Sequence, residues 1–140
     1  MKQIYLGVLG LIFLVPICLN AQDIHRDTIV WESSHAVNWV TGEKIDLPST
    51  FITYGERGVE WIQENVNKKK SFNISNVSGH WSNASQDGQI TYVLAVGSKT
   101  ATIEFGRRNG LARIKCSIIH EGVQQMPFEF EVNNVTKKKD

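Results

Sequence analysis

Cysteine is scarce in this chain, with two in 140 residues. Cys18 falls in the leading apolar stretch, which leaves Cys116 alone in the remainder. No intramolecular disulfide is therefore available, and the fold has to hold by its core. An excess of charge of one sign is missing too. The 15 Lys+Arg include Lys2 of the leading stretch, so the rest of the chain carries as many cations as its 14 Asp+Glu. A balanced chain has no general electrostatic pull toward nucleic acid or an anionic membrane. The lysine runs Lys68 to Lys70 and Lys137 to Lys139 read as solvated loop and tail. Also lacking are a glycine-rich phosphate loop, a basic aromatic platform for RNA, an internal repeat and a low-complexity linker. These absences argue against nucleotide chemistry and against a multi-domain layout.

What is present begins with MKQIYLGVLGLIFLVPICLNAQ. One cation, an apolar run from Ile4 to Val15, helix-breaking Pro16 and a small residue at Ala21 have the layout of a secretory leader, cleaved after Ala21. The run is short and proline-broken for a retained span of about 20 residues. Lipidation at Cys18 is disfavoured by Ile17, which stands where a small residue is wanted. The expected division is a leader over 1–21, one all-β domain over 22–136 and a basic tail over 137–140, with export to the periplasm or beyond. No stable membrane insertion is expected once the leader is gone. A domain of this size buries about two-thirds of its unfolded surface, which suffices without staples.

Short β-rich runs follow one another between turn residues: Thr28 to Trp31, Ala36 to Val40, Phe51 to Tyr54, Val59 to Ile62, Phe72 to Val77, and four more. The spacing predicts an all-β fold, an antiparallel meander forming a small barrel or a β-sandwich. In ERGVEWIQENVNKKK the helical spacing of Val59, Ile62 and Val66 competes with a hairpin that sets Val59 and Trp61 on one face. The GERG turn favours the strand.

The second half is readable to the level of register. Asn109-Gly110 suits a two-residue turn with positive φ at both positions. Pairing outward from it sets Phe105 opposite Ile114, Ile103 opposite Cys116 and Ala101 opposite Ile118, with Glu104 opposite Lys115 on the other face. A four-residue loop from Gly97 to Thr100 would place Val96 against Ala101, Leu94 against Ile103 and Tyr92 against Phe105. A three-residue loop from Glu121 to Val123 would place Cys116 against Phe128 and Ile114 against Phe130, with Lys115 against Glu129 and Arg113 against Glu131 outside. An Asp87-Gly88 turn would set Trp81 opposite Leu94 and Gly79 opposite Val96; the alternative is a longer loop over the largely polar run from Ser82 to Asp87, which loosens the register and leaves the parity available. Trp81 then points into the core, where its indole N–H needs a partner, and His80 points out.

Gly79-His80-Trp81, followed by an antiparallel meander, resembles the lipocalin-like barrels, secreted proteins that hold small apolar ligands. The resemblance implies a ligand cavity of about 300 Å³ or more. The inward rows of the meander, not the resemblance, supply its expected lining: Trp81, Tyr92, Leu94, Phe105 and Phe130.

His25, His35, His80 and His120 have no partner at metal-ligand spacing, so no metal or other cofactor is expected. Cys116, between Ile103 and Phe128, reads as a buried inert thiol. Ser33-Ser34-His35 lacks a glycine elbow around the serine. Glu56, Glu60 and Glu64 would serve a hydrolase only if they shared a cleft. Trp31, Trp39 and Trp61 would stack on sugar rings if two of them were exposed on one surface, although in so small a domain tryptophan is more often core. The expectation is an exported, non-catalytic carrier of a small apolar molecule. The alternative is a surface module that meets a glycan or protein through exposed tryptophans or a sheet edge.

Overall fold

The computed structural model describes residues 22–139, so the expected leader lies outside the described residues. In chain order the strands are β1 (Thr28–Ser33), β2 (Ala36–Asn38), β3 (Lys44–Ile45), β4 (Ser49–Tyr54), β5 (Gly58–Gln63), β6 (Lys68–His80), β7 (Gly88–Val96), β8 (Lys99–Arg108), β9 (Leu111–His120), β10 (Val123–Glu131) and β11 (Asn134–Lys137). A 3-10 turn at Glu64–Val66 is all that becomes of the helical spacing after β5. The strands form one antiparallel sheet in the order β11-β1-β4-β5-β6-β7-β8-β9-β10-β2-β3.

The sheet curls into a barrel-like shape because its two ends belong to one ribbon. Only Ser34 and His35 separate β1 from β2, and only Val132 and Asn133 separate β10 from β11. A single register runs through both pairs, from Ile29↔Lys137 and Glu32↔Asn134 to Ala36↔Phe130 and Asn38↔Phe128. The ribbon joins β4 on one flank and β9 on the other. Asn133 secures its bend, donating its N–H to Glu32 O at 2.8 Å and accepting the Ser34 N–H at Oδ1 at 2.9 Å. β6 changes partner midway along its length. Its ladder to β5 covers Lys68 to Asn73, its ladder to β7 covers Asn73 to His80, and the two share Asn73 alone.

Strand alternation sorts side chains to two faces. Trp31, Phe51, Trp61, Tyr92, Phe105, Ile114 and Phe130 all point inward and are buried. Their rings interlock, with Trp31 5.0 Å from Phe105 and Phe51 4.9 Å from Phe130, centroid to centroid. Each such burial contributes about 1.5–3 kcal/mol, so packing decides the fold. The polar core residues serve the indoles. Trp31 Nε1 donates to Thr53 Oγ1 and Trp61 Nε1 to Ser49 Oγ, both at 3.1 Å.

The Asn109-Gly110 hairpin pairs as its chemistry predicts, with Phe105↔Ile114, Ile103↔Cys116 and Glu104↔Lys115. Three other details differ. β7 and β8 are joined by a two-residue turn at Gly97-Ser98, so Leu94 faces Ala101, Tyr92 faces Ile103 and Ile90 faces Phe105. That is a slip of two residues, which leaves every side chain on its expected face, so burial does not discriminate between the registers. Between β9 and β10 the expected pairs Cys116↔Phe128, Ile114↔Phe130, Lys115↔Glu129 and Arg113↔Glu131 all occur. The turn, however, is Glu121-Gly122, with His120 opposite Val123, and an irregularity between Gln125 and Phe128 restores the register. Met126, with φ 53°, precedes Pro127 there. Finally, Gly79 pairs with Ile90 and His80 with Gln89, and Trp81 leaves the strand to begin a loop. Trp81 is buried nonetheless and His80 is exposed.

Candidate functional site

The two ends of the barrel are built differently. At one, the segment before β1 crosses the opening: Asp23 bridges Asn83, Ile24 N–H donates to Ser82 O at 3.1 Å, and Ala84 N–H donates to Gln22 O at 3.0 Å. Ile24 and Ala84 are buried against Trp81 and the core. The Trp81 indole donates to Gln86 O at 2.8 Å, and Arg107 Nε donates to Ala84 O at 2.8 Å. Two glycines make this seal possible. Gly79 turns the chain with φ 94°, a conformation that L side chains rarely adopt. Gly88 lies so close to Trp81 that a Cβ would stand 2.1 Å from its ring.

At the other end Leu94, Ala101 and Cys116 are nearly buried, while Phe72, Ile118 and Met126 are only half covered. Between them lies an apolar crevice of about 20 Å³, lined also by Phe51, Trp61 and Ile103. Burial pushes the Cys116 thiol well above its ordinary pKa, as expected of an inert core cysteine. The residues expected to line a ligand cavity, Trp81, Tyr92, Leu94, Phe105 and Phe130, fill the interior themselves. Tyr92 has the one buried side-chain polar atom without a hydrogen-bond partner among the described residues, its hydroxyl. Desolvation and the negative charge of Glu56 hold that phenol in its neutral form.

The tryptophan platform does not assemble. Trp31 and Trp61 face inward by strand parity, whereas Trp39, at the end of β2, is 42% exposed. The three glutamates find separate partners. Glu56 meets His25 Nδ1, Glu60 meets Lys69 Nζ at 2.9 Å, and Glu64 accepts the Thr50 hydroxyl at 2.8 Å. Burial opposes ionisation of Glu60, but the bonds from Lys69 and Tyr54 outweigh it and hold its pKa below the usual value. Ser34 Oγ lies 3.2 Å from His35 Nδ1 at an exposed bend. Among the described residues no group of three or more metal-ligating side chains converges.

The larger spaces are outside. One cleft of about 380 Å³ lies where β5 meets β6, against Tyr54, Arg57, Glu60 and Ser71. A second, of about 410 Å³, runs over the outer face of β7 to β10. It is lined by Arg107, Arg108, Arg113 and Lys115 against Glu104 and Glu129, with Gly106 among them. Neither was foreseen in the sequence. The signal for the second was an isolated glycine inside the alternating run of β8.

No family model, curated protein or solved structure matches the chain. The fold places it among antiparallel, barrel-like β proteins, and the reading of its function rests on the geometry above.

Proposed function

We propose that the protein is an exported, non-catalytic binding module that recognises a glycan or protein partner with the outside of its sheet. One observation carries this reading. The crevice that enters the core beside Cys116 holds about 20 Å³, whereas clefts of about 380 and 410 Å³ open on the outer faces. A small-molecule site needs about 300 Å³ or more. Carriage of an apolar ligand in the barrel would require the crevice beside Cys116 to widen more than tenfold, roughly speaking, against a close-packed aromatic core. Dispersal of Glu56, Glu60 and Glu64 among separate partners favours binding over hydrolysis. Export rests on the leader pattern at 1–21.

The test is a titration of the purified protein with palmitate and with an apolar fluorophore, with alkylation of Cys116 followed in parallel. The outer-surface reading expects no saturable site and no change in labelling. A one-to-one complex that shields Cys116 would overturn it in favour of a carrier.

A further inference from the structure

We propose that the outer face of β7, β8 and β9 holds a binding site for an acidic saccharide, centred on Gly106. The inference rests on the outer-surface reading and names its ligand. Gly106 is a mid-strand glycine that the fold does not require. It has no left-handed backbone angle. A Cβ there would meet Gly88 O at 3.4 Å and the Gln89 side chain at 3.9 Å, which is ordinary contact. Glycine inside a strand weakens it and often marks a bulge, a tight bend or a site where a ligand approaches the backbone, and both ladders of β8 run through Gly106 without a register shift. Gly106 lies in the floor of the 410 Å³ cleft.

The surrounding grid states the chemistry of the approaching group. Gly106 pairs with Gln89 on one side and Arg113 on the other. Two residues along, Arg108 pairs with Leu111, and in the opposite direction Glu104 pairs with Lys115. The Arg108 side chain is exposed and makes no ion pair or hydrogen bond among the described residues, while Arg113 and Lys115 share Glu129 at 3.4 and 3.5 Å. An anionic group over Gly106 therefore meets cations on two sides. The rim carboxylates Glu104 and Glu129 would repel a dense polyanion, which argues against nucleic acid. They suit instead a ligand that carries an isolated acidic group among hydroxyls, since the carboxylates accept hydrogen bonds from such hydroxyls and the Gln89 amide can both accept and donate them. Leu111, 54% exposed, offers an apolar surface to the C–H face of a ring. Arginine supplies the planar fork that carboxylates and sulfates match.

The experiment is calorimetric titration of the full chain with galacturonic acid and with 3′-sialyllactose, each against its neutral counterpart, galactose or lactose. The expected result is that an acidic sugar binds at least about tenfold more tightly than its counterpart, with affinity falling as salt rises. Gly106→Leu should fold with an unchanged or higher thermal midpoint and lose that binding, and Arg108→Gln and Arg113→Gln should weaken it by about tenfold each. Should Gly106→Leu fail to fold, Gly106→Ala and the two arginine variants carry the same test. Equal binding of acidic and neutral sugars, no binding of either acid at millimolar concentration, or wild-type affinity in the folded glycine variant would overturn the inference. Any of these leaves the outer-surface reading standing, whereas an apolar ligand that shields Cys116 removes both.

Discussion

The two ends of this barrel share a wall and a set of strands, yet one is sealed and the other merely narrow. At the sealed end a short segment before the first strand supplies Ile24, and a loop folds Trp81 and Ala84 beneath it, with backbone bonds on both sides. At the narrow end half-covered Phe72, Ile118 and Met126 do the closing. The difference shows that an apolar interior does not by itself define a cavity. What matters is whether the side chains leave space once their rings have met, and here they leave about 20 Å³.

Truncation at each end tests the contrast most strongly. Trp81→Ala should cost about 3–5 kcal/mol in urea denaturation, because it empties the seal and strands the Gln86 carbonyl. Cys116→Ala, at the narrow end, should cost only about 1 kcal/mol, since a small thiol beside half-covered neighbours leaves little cavity. Equal losses would mean that the seal is no more tightly built than the opening.

A smaller effect tests whether the polar core residues hold the tryptophans in place. Thr53→Val keeps the shape but removes the acceptor of the Trp31 indole, leaving a buried N–H unpaired. A loss of about 1–3 kcal/mol is expected, with Thr53→Ser restoring most of it. An unchanged midpoint for the valine variant would show that the bond at 3.1 Å contributes nothing net.

The same contrast explains what could be read from the sequence. Alternation in β8 to β10 made the inward rows legible, because one face is buried and a slip of one residue would expose it. A slip of two costs no burial, so the partner of Tyr92 was missed while its direction was not. The compensation near Met126 was hidden for a related reason: a two-residue turn with a later irregularity and a three-residue loop without one yield the same pairs further along. The seal was illegible because Ile24 and Ala84 belong to no periodic run, and only tertiary contact joins Gln22 to Ala84. The outer cleft asked a different question of the sequence. Four basic side chains spread over two strands look like a solvated face until the pairing sets them around Gly106.

The ribbon that joins the sheet's two ends offers the mildest test of all. Lys137 Nζ lies 2.9 Å from Asp27 Oδ1, just beyond the Ile29↔Lys137 pair that ends the ribbon. The hydrogen bond from Lys137, helped by the Asp23 backbone N–H and opposed by partial burial, holds the Asp27 carboxyl below its ordinary pKa. A depressed carboxylate stabilises the folded state fully above its unfolded pKa, near about 4, and ceases to do so as pH falls through the lower folded value. Both side chains are partly exposed, so Asp27→Asn at neutral pH should cost at most about 1 kcal/mol. The variant should also show a shallower loss of stability as pH falls below about 4 than the wild type, read from urea midpoints at each pH. Because the pair fastens β11 against β1 and lies far along the chain from Cys116, that change should leave Cys116 alkylation unaltered at neutral pH. Faster labelling would instead mean that the ribbon and the narrow end open together, and that the two ends are less independent than their construction implies.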